Sequence, residues 1–120
     1  TQRRIGDYGI VGHPDTCVEE LSGGNQQRAL LSLLPDELAL LLLEHPTRGL
    51  DIDSSSRIWS RLLERRKQGT AIVFTSTDLD ELVDYADRIL VFSGGVISEP
   101  VSASEVTCEQ LGYLIGGSRA

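Results

Sequence analysis

The chain has 120 residues, with 11 Lys and Arg against 18 Asp and Glu, and a formal net charge of −7. This length supports one modest core, and the acidic balance argues against a nucleic-acid-binding protein. The two cysteines are far apart, and the longest apolar run, Leu38 to Leu43, has six residues. The sequence therefore predicts neither a disulfide or zinc framework nor a membrane span of about 20 residues. Because it begins at Thr1 without Met, we expect a piece of a longer protein.

The first half of the chain predicts two helices and a strand. A short helix near Gln2 to Tyr8 precedes a loop rich in Gly. From Asn25, apolar residues recur at helical spacing until Pro35 ends the segment. The continuous apolar run from Leu38 to Leu43 then predicts a strand buried on both faces, as in a parallel sheet.

The second half alternates helices and strands. The sequence predicts a helix capped by Asp51 or Asp53, then a strand at Ala71 to Thr75 and a helix after the Asp78 and Glu81 capping box. A strand at Arg88 to Phe92 and a Gly94-Gly95 hairpin into Val96 to Ser98 follow. The last predicted helix runs from about Ser102 to Ile115. This order predicts an α/β fold with an at least partly parallel sheet.

The stretch from Leu21 to Arg28 carries the clearest chemical signal. Its two glycines allow close approach to an anion, Ser22 adds a hydroxyl donor, and the following helix offers unpaired N–H groups. An isolated Ser-Gly-Gly more often only caps a helix. The neighbouring segments decide between the two interpretations.

Two further polar segments follow predicted strands. Glu44 comes at the end of the apolar strand, where an acidic residue can hold Mg²⁺ directly or through water. Thr75 to Leu79 brings hydroxyls to the end of the next strand. Since parallel strands end at the same sheet edge, these segments predict a nucleotide phosphate site.

These segments resemble the C-terminal half of an ATP-binding-cassette (ABC) nucleotide-binding domain, from about Gly9 to Gly117. The family elements they resemble are the signature motif (Leu21 to Gln27), the Walker B strand (Leu38 to Pro46), the D-loop (Gly49 to Asp51) and the switch region (Thr75 to Leu79). The Asn-Gln-Gln and Pro-Thr-Arg-Gly variants resemble the second domain of sugar and nucleoside importer ATPases. The resemblance implies an incomplete P-loop ATPase fold: a partly parallel sheet flanked by helices, without the Walker A half.

Three residues depart from the family pattern. Glu44 stands where the resemblance implies the magnesium-site Asp, and His45 stands where it implies the catalytic Glu. Thr77 replaces the switch His, while Asp51 matches the D-loop residue. Losing a general base costs about 10²–10⁴-fold in rate, so we expect this site to bind without efficient hydrolysis. A working site with His45 as proton acceptor stays open as an alternative.

The family's Walker A pattern, G-x-x-x-x-G-K followed by Ser or Thr, does not occur in the chain. We therefore expect no ATP hydrolysis by the chain alone. In the family, the signature of one domain covers ATP held by the Walker A loop of the other. The resemblance thus implies that Ser22, Gly23, Gly24 and Asn25 contact ATP in trans.

The resemblance also implies partners and a location. The implied partners are another ABC nucleotide-binding domain, membrane permease subunits and an extracellular solute-binding protein, at the inner face of a bacterial cell membrane. We expect no nucleic-acid partner, and we expect self-association through a sheet edge left unpaired without the Walker A strand. Two alternatives remain: a soluble ABC ATPase of DNA repair or translation, and a structural fragment without nucleotide chemistry.

The expected organisation is one partial domain in three segments. Residues 1–37 form a helical part with the signature, residues 38–101 form the sheet core with Walker B, D-loop and switch region, and residues 102–120 form a C-terminal helix.

Overall fold

The computed structural model describes residues 1–116 and separates the chain into two compact units, Thr1–Thr75 and a second that begins at Ser76. The helices are α1 Gln2–Asp7, α2 Gly23–Ser32, α3 Ile52–Lys67, α4 Leu79–Tyr85 and α5 Cys108–Gly116. The strands are β1 Leu40–Glu44, β2 Ala71–Thr75, β3 Arg88–Ile89, β4 Phe92–Ser93, β5 Val96–Ile97 and β6 Val101–Ser102. None of the helices in the described part of the chain combines the length and apolar character needed to span a membrane.

The sheet of the first unit consists of β1 and β2, which pair in parallel from Leu40 opposite Ala71 to Glu44 opposite Thr75. The predicted parallel pairing is therefore confirmed. Helix α3 provides the core beside this sheet, and its Trp59 ring meets the edge of Phe74 with 4.7 Å between ring centroids. Apolar residues three and four apart on α3 bury one helix face against the strands, as the spacing predicts.

The prediction that β1 is buried on both faces is wrong. Leu41 is buried, but Leu42 is 68% exposed and Val73 on β2 is 56% exposed. Alternate residues of a strand point to opposite faces, and within residues 1–75 the helices cover only one of them. We call the uncovered side, formed by Leu40, Leu42, Ala71 and Val73, the open sheet face.

Arg65, in the last turn of α3, makes hydrogen bonds to other segments of the first unit. Arg65 is buried, and its Nη1 donates to the Pro35 carbonyl at 2.7 Å. Its Nη2 donates to the Tyr8 hydroxyl at 3.0 Å. Arg65 therefore ties both α1 and the segment after α2 to α3, which helps to fix the position of α2.

Among residues 76–116, the core of the second unit contains the buried residues Ile89, Val91, Ala103 and Leu111. The predicted hairpin is confirmed: β4 and β5 are antiparallel across Gly94 and Gly95. These glycines have φ values of 56° and 79°, the left-handed backbone that a two-residue turn requires. The predicted single strand from Arg88 to Phe92 is divided, because β3 pairs with β6 instead of continuing into the hairpin.

The last helix begins at Cys108, so the predicted start at Ser102 is wrong. Ser102 belongs to β6, where it pairs with Arg88, and the buried Ala103 donates its N–H to the Asp87 carbonyl at 3.1 Å. The Thr107 hydroxyl accepts from the Gln110 N–H at 3.2 Å and so caps the later helix start. Residues 117–120 of the predicted C-terminal segment lie outside the described residues.

Candidate functional site

Helix α2 begins two residues earlier than its apolar spacing predicts, with Ser22 as the N-cap. Ser22 and Gly23 are exposed at this helix start. A Cβ at Gly23 would meet only the Leu50 Cδ2 atom, at an ordinary 3.8 Å. The predicted phosphate site is therefore open to solvent at Ser22 and Gly23, where a helix start can present N–H groups to an anion.

The next two signature residues face inward. Gly24 is buried against α3, and a Cβ there would lie 2.6 Å from the Ser54 Oγ. Asn25 is buried, and its Oδ1 accepts the Val11 backbone N–H at 2.9 Å. These contacts give Gly24 and Asn25 a role in holding the site. Direct contact of Gly24 and Asn25 with ATP, like that of Ser22 and Gly23, stays a prediction.

A residue without a predicted role completes this network. Arg28 is 7% exposed, and its Nη2 donates to Asn25 Oδ1 at 2.7 Å. Its Nε is buried and has no hydrogen-bond partner within residues 1–116. The three-residue spacing from Asn25 on a helix is the signal that places Arg28 beside it.

Another missed contact joins the signature helix to the end of β1. Gln27 Nε2 donates to the carbonyl of the buried Pro46 at 2.8 Å. Pro46 belongs to the loop that follows Glu44 and His45. The two most informative sequence segments are therefore physically connected within the first unit.

Glu44 and His45 lie where β1 ends. Glu44 is exposed opposite Thr75, and the His45 N–H donates to the Thr75 carbonyl at 2.9 Å. His45 has a φ of 46°, a left-handed backbone that costs side-chain-bearing residues about 1 kcal/mol or more. This conformation ends the strand and starts the turn toward Arg48, whose N–H donates to the His45 carbonyl at 3.2 Å.

Asp51 is the N-cap of α3, which decides between the two predicted caps. Its Oδ1 accepts the Ser54 backbone N–H at 2.8 Å, and its Oδ2 accepts the Ser54 hydroxyl, also at 2.8 Å. These hydrogen bonds lower the pKa of Asp51 from its ordinary value of 3.8. Both carboxylate oxygens are thus engaged in holding the helix start.

Thr77 is exposed and lies in the second unit, between the end of β2 and the start of α4. The other site residues named from the sequence all lie in the first unit. Among residues 1–116, no group of three His, Cys, Asp or Glu side chains gathers as a metal site would require. The single carboxylate of Glu44 suits Mg²⁺ only in the manner of sites that take most ligands from water and phosphate.

Comparison with known proteins identifies relatives of this chain. No protein-family model matches the chain. The arabinose import ATP-binding protein AraG of Yersinia pestis is 40% identical over 98 residues, 81% of this chain and 19% of that protein. The nucleoside import ATP-binding protein NupA of Lactococcus lactis is 41% identical over 98 residues, again 81% of this chain and 19% of the relative. The chain thus spans about a fifth of the length of these curated relatives.

Solved structures agree with these relatives. The cbiO1 protein of Clostridium perfringens, part of the ABC transporter complex cbiONQ, superposes with a TM-score of 0.71 and 28% identity. The match covers 92% of this chain and 45% of that one. The ADP conformation of MJ1267, an ATP-binding cassette of an ABC transporter, gives a TM-score of 0.66 over 97% of this chain and 44% of that one, and at 19% identity it supports the fold alone. The chain therefore belongs to the ATP-binding-cassette family, with import ATP-binding proteins as its relatives.

Proposed function

We propose that the chain is the signature-bearing part of an ATP-binding subunit that drives uptake of a sugar or a nucleoside. The observation that carries this proposal is the exposed pair Ser22 and Gly23 at the start of α2. The next residue, Gly24, is buried against Ser54 of α3 and fixes this helix start. Relatives named as import proteins for arabinose and nucleosides support the transport role. They also disfavour the alternative of a DNA-repair or translation ATPase.

In this proposal ATP and Mg²⁺ belong to a site shared with a second nucleotide-binding domain. Ser22 and Gly23 contact the phosphates of ATP held by the partner's Walker A loop, and Gly24 and Asn25 support them. A helix N-terminus with free N–H groups suits this task, because it attracts anionic oxygen atoms. The chain is then one half of a composite site.

The residues that follow β1 belong, in this proposal, to a degenerate site. Glu44 holds Mg²⁺ through water, but His45 replaces the carboxylate that would activate the attacking water, and Thr77 replaces the switch His. Asp51 acts as the D-loop residue and caps α3. The intact signature and the impaired Walker B segment thus serve two different ATP sites.

The proposed assembly also includes membrane permease subunits and an extracellular solute-binding protein, with this chain at the inner face of the cell membrane. The cbiO1 protein, described as part of a transporter complex, supports such an arrangement. We further propose that the chain by itself associates with a second copy. Exposed apolar side chains on the open sheet face and the unpaired edges of β1 and β2 in residues 1–75 support this.

The composite-site proposal is tested by association with an ATP-loaded, Walker A-bearing cassette domain from an importer relative. Sedimentation of the two proteins with ATP and Mg²⁺ should give a heterodimer that disappears with ADP or without nucleotide. Ser22→Ala should weaken the heterodimer, whereas Ser56→Ala, on the exposed surface of α3, should not. A folded chain that shows no nucleotide response would support the alternative of a structural fragment.

The degenerate-site proposal needs an intact importer subunit that contains this sequence. Combining His45→Glu with Thr77→His should raise ATP turnover at this site, since losing or restoring a general base changes the rate about 10²–10⁴-fold. The control is His45→Gln, because Gln has the size of Glu and the same backbone strain at this position but cannot act as a base. Equal turnover in the Glu and Gln variants would contradict the proposal.

A further inference from the structure

We infer that Arg28 and Asn25 are positioning residues that turn the Ser22 hydroxyl proton outward, so that it donates to a phosphate oxygen. This inference rests on the proposed function of the α2 start. It adds the buried Arg28 and the Val11 backbone to that site, and it assigns a direction to each hydrogen bond that they and Ser22 make with Asn25.

The orientation of the Asn25 amide is fixed by two donors. Arg28 Nη2 lies 2.7 Å and the Val11 N–H lies 2.9 Å from the same side-chain atom of Asn25. A guanidinium and a backbone N–H can only donate, so this atom must be the carbonyl oxygen Oδ1. The amide nitrogen Nδ2 therefore points the other way, toward Ser22.

The Asn25 amide nitrogen in turn fixes the Ser22 hydroxyl. Nδ2 lies 3.0 Å from Ser22 Oγ, and because Nδ2 can only donate, the hydroxyl accepts. The Asn25 backbone N–H also donates to Oγ, at a longer 3.4 Å. With both acceptor positions of Oγ occupied from the protein side, its proton is left to point toward solvent at the exposed helix start.

Arg28 also contributes its charge. It is 7% exposed, and no ion pair is formed by Arg28 within residues 1–116. Its Nη2 lies 3.9 Å from the position of a Cβ at Gly24, which places the guanidinium beneath the first turn of α2. A buried cation without a carboxylate partner favours an anion nearby, because the low dielectric of the interior weakens its screening.

The substitution Asn25→Asp distinguishes a role of Asn25 in orienting the Ser22 hydroxyl from a role in stability alone. The carboxylate keeps the shape of the amide and still accepts from Arg28 and Val11, with a full charge pair to Arg28. It has no hydrogen to donate, however, so the Ser22 hydroxyl becomes the donor and turns inward. The variant should be at least as stable as the parent chain at neutral pH and should bind phosphate worse.

The test uses the full chain and inorganic phosphate as the probe. Backbone amide shifts of Gly23 and Gly24 are followed by NMR during phosphate titration, with chloride added to hold ionic strength constant. Ser22→Ala and Asn25→Asp should each weaken phosphate binding about tenfold or more, the size of one hydrogen bond to a charged group. Arg28→Met should weaken it about threefold or more, while the exposed Arg57→Met serves as the charge-matched control.

A double-mutant cycle then decides whether Asn25 acts through Ser22. In the Asn25→Asp background, Ser22→Ala should cost almost nothing further, because the hydroxyl is already turned inward. Additive losses, or phosphate affinity that Asn25→Asp leaves unchanged, would overturn the inference, as would a parent chain that shows no phosphate shifts at Gly23 and Gly24. This titration needs no partner domain. Failure of heterodimer formation would therefore count against the proposed function alone.

Discussion

Gly24 of the signature helix packs against Ser54 of α3, with room for no more than a hydrogen atom. A Cβ at Gly24 would lie 2.6 Å from Ser54 Oγ and 3.1 Å from Ser54 Cβ. The same Ser54 hydroxyl donates to Asp51. The signature and the D-loop are thus joined through one serine, and the second signature glycine is required by this packing.

The two signature glycines should respond differently to alanine. Gly24→Ala should lower the free energy of unfolding by about 1–3 kcal/mol, as overpacking does, because the Ser54 side chain, including its Cβ at 3.1 Å, must shift. Gly23→Ala should leave stability nearly unchanged, since its Cβ meets only Leu50 at 3.8 Å. Urea unfolding of both variants provides the measurement. Equal destabilisation by the two would contradict the assigned contacts.

Asp51 should make stability sensitive to acid. Hydrogen bonds from Ser54 lower the pKa of Asp51 in the folded chain, so the ionised cap stabilises the fold above the ordinary value of 3.8. This stabilisation is lost as the pH falls below 3.8 through the lower folded pKa. Asp51→Asn still accepts from the Ser54 N–H but does not titrate.

Unfolding curves of the parent chain and of Asp51→Asn test this from about pH 6 downward. The stability difference between the two proteins should shrink once the pH falls below 3.8. Asp53→Asn, at an exposed position that does not cap α3, serves as the control. A difference that stays constant across this range would show that ionisation of Asp51 contributes nothing to stability.

The two cysteines should differ in reactivity toward alkylating reagents. Cys17 is exposed, whereas the Cys108 Sγ donates to Asp80 Oδ1 at 3.2 Å. This hydrogen bond raises the pKa of Cys108 above its ordinary value of 9.0, so less of the reactive thiolate is present.

Iodoacetamide labelling near pH 8, followed by mass spectrometry, should modify Cys17 about threefold faster or more. Asp80→Asn should then speed modification of Cys108, because it removes the carboxylate charge that disfavours the thiolate and leaves only a weaker, neutral acceptor. Its effect on Cys17 should be negligible. Unchanged Cys108 labelling in Asp80→Asn would exclude Asp80 as the cause.

The parallel pairing of β1 with β2, the Gly94-Gly95 hairpin and helix α3 could be predicted from the sequence. The hairpin and α3 depend on residues close in sequence, namely the turn glycines and the apolar spacing, whereas the parallel pairing follows from the alternation of strands and helices. The buried role of Arg65 could not, since its side chain donates to Pro35 and Tyr8 in other segments. A basic residue in the last turn of a helix gives no sequence signal that distinguishes such contacts from solvation.

For the open sheet face, the sequence predicts more burial than the structure has. A continuous apolar run predicts a strand buried on both faces, but it does not indicate which chain segment covers the second face. The start of α5 was misplaced for a related reason. Ser102 is compatible with a helix start by itself, and only its long-range pairing with Arg88 assigns it to a strand.

The central claim is that the start of α2 contacts ATP held by a partner domain. Hydrogen–deuterium exchange of the full chain, measured with an ATP-loaded cassette domain, tests it most directly. The account predicts that exchange at Gly23 to Gln26 becomes slower with ATP and Mg²⁺ and does not change with ADP. It also predicts that Ser22→Ala abolishes this slowing. Nucleotide-dependent association that protects the open sheet face while leaving Gly23 to Gln26 unchanged would contradict it.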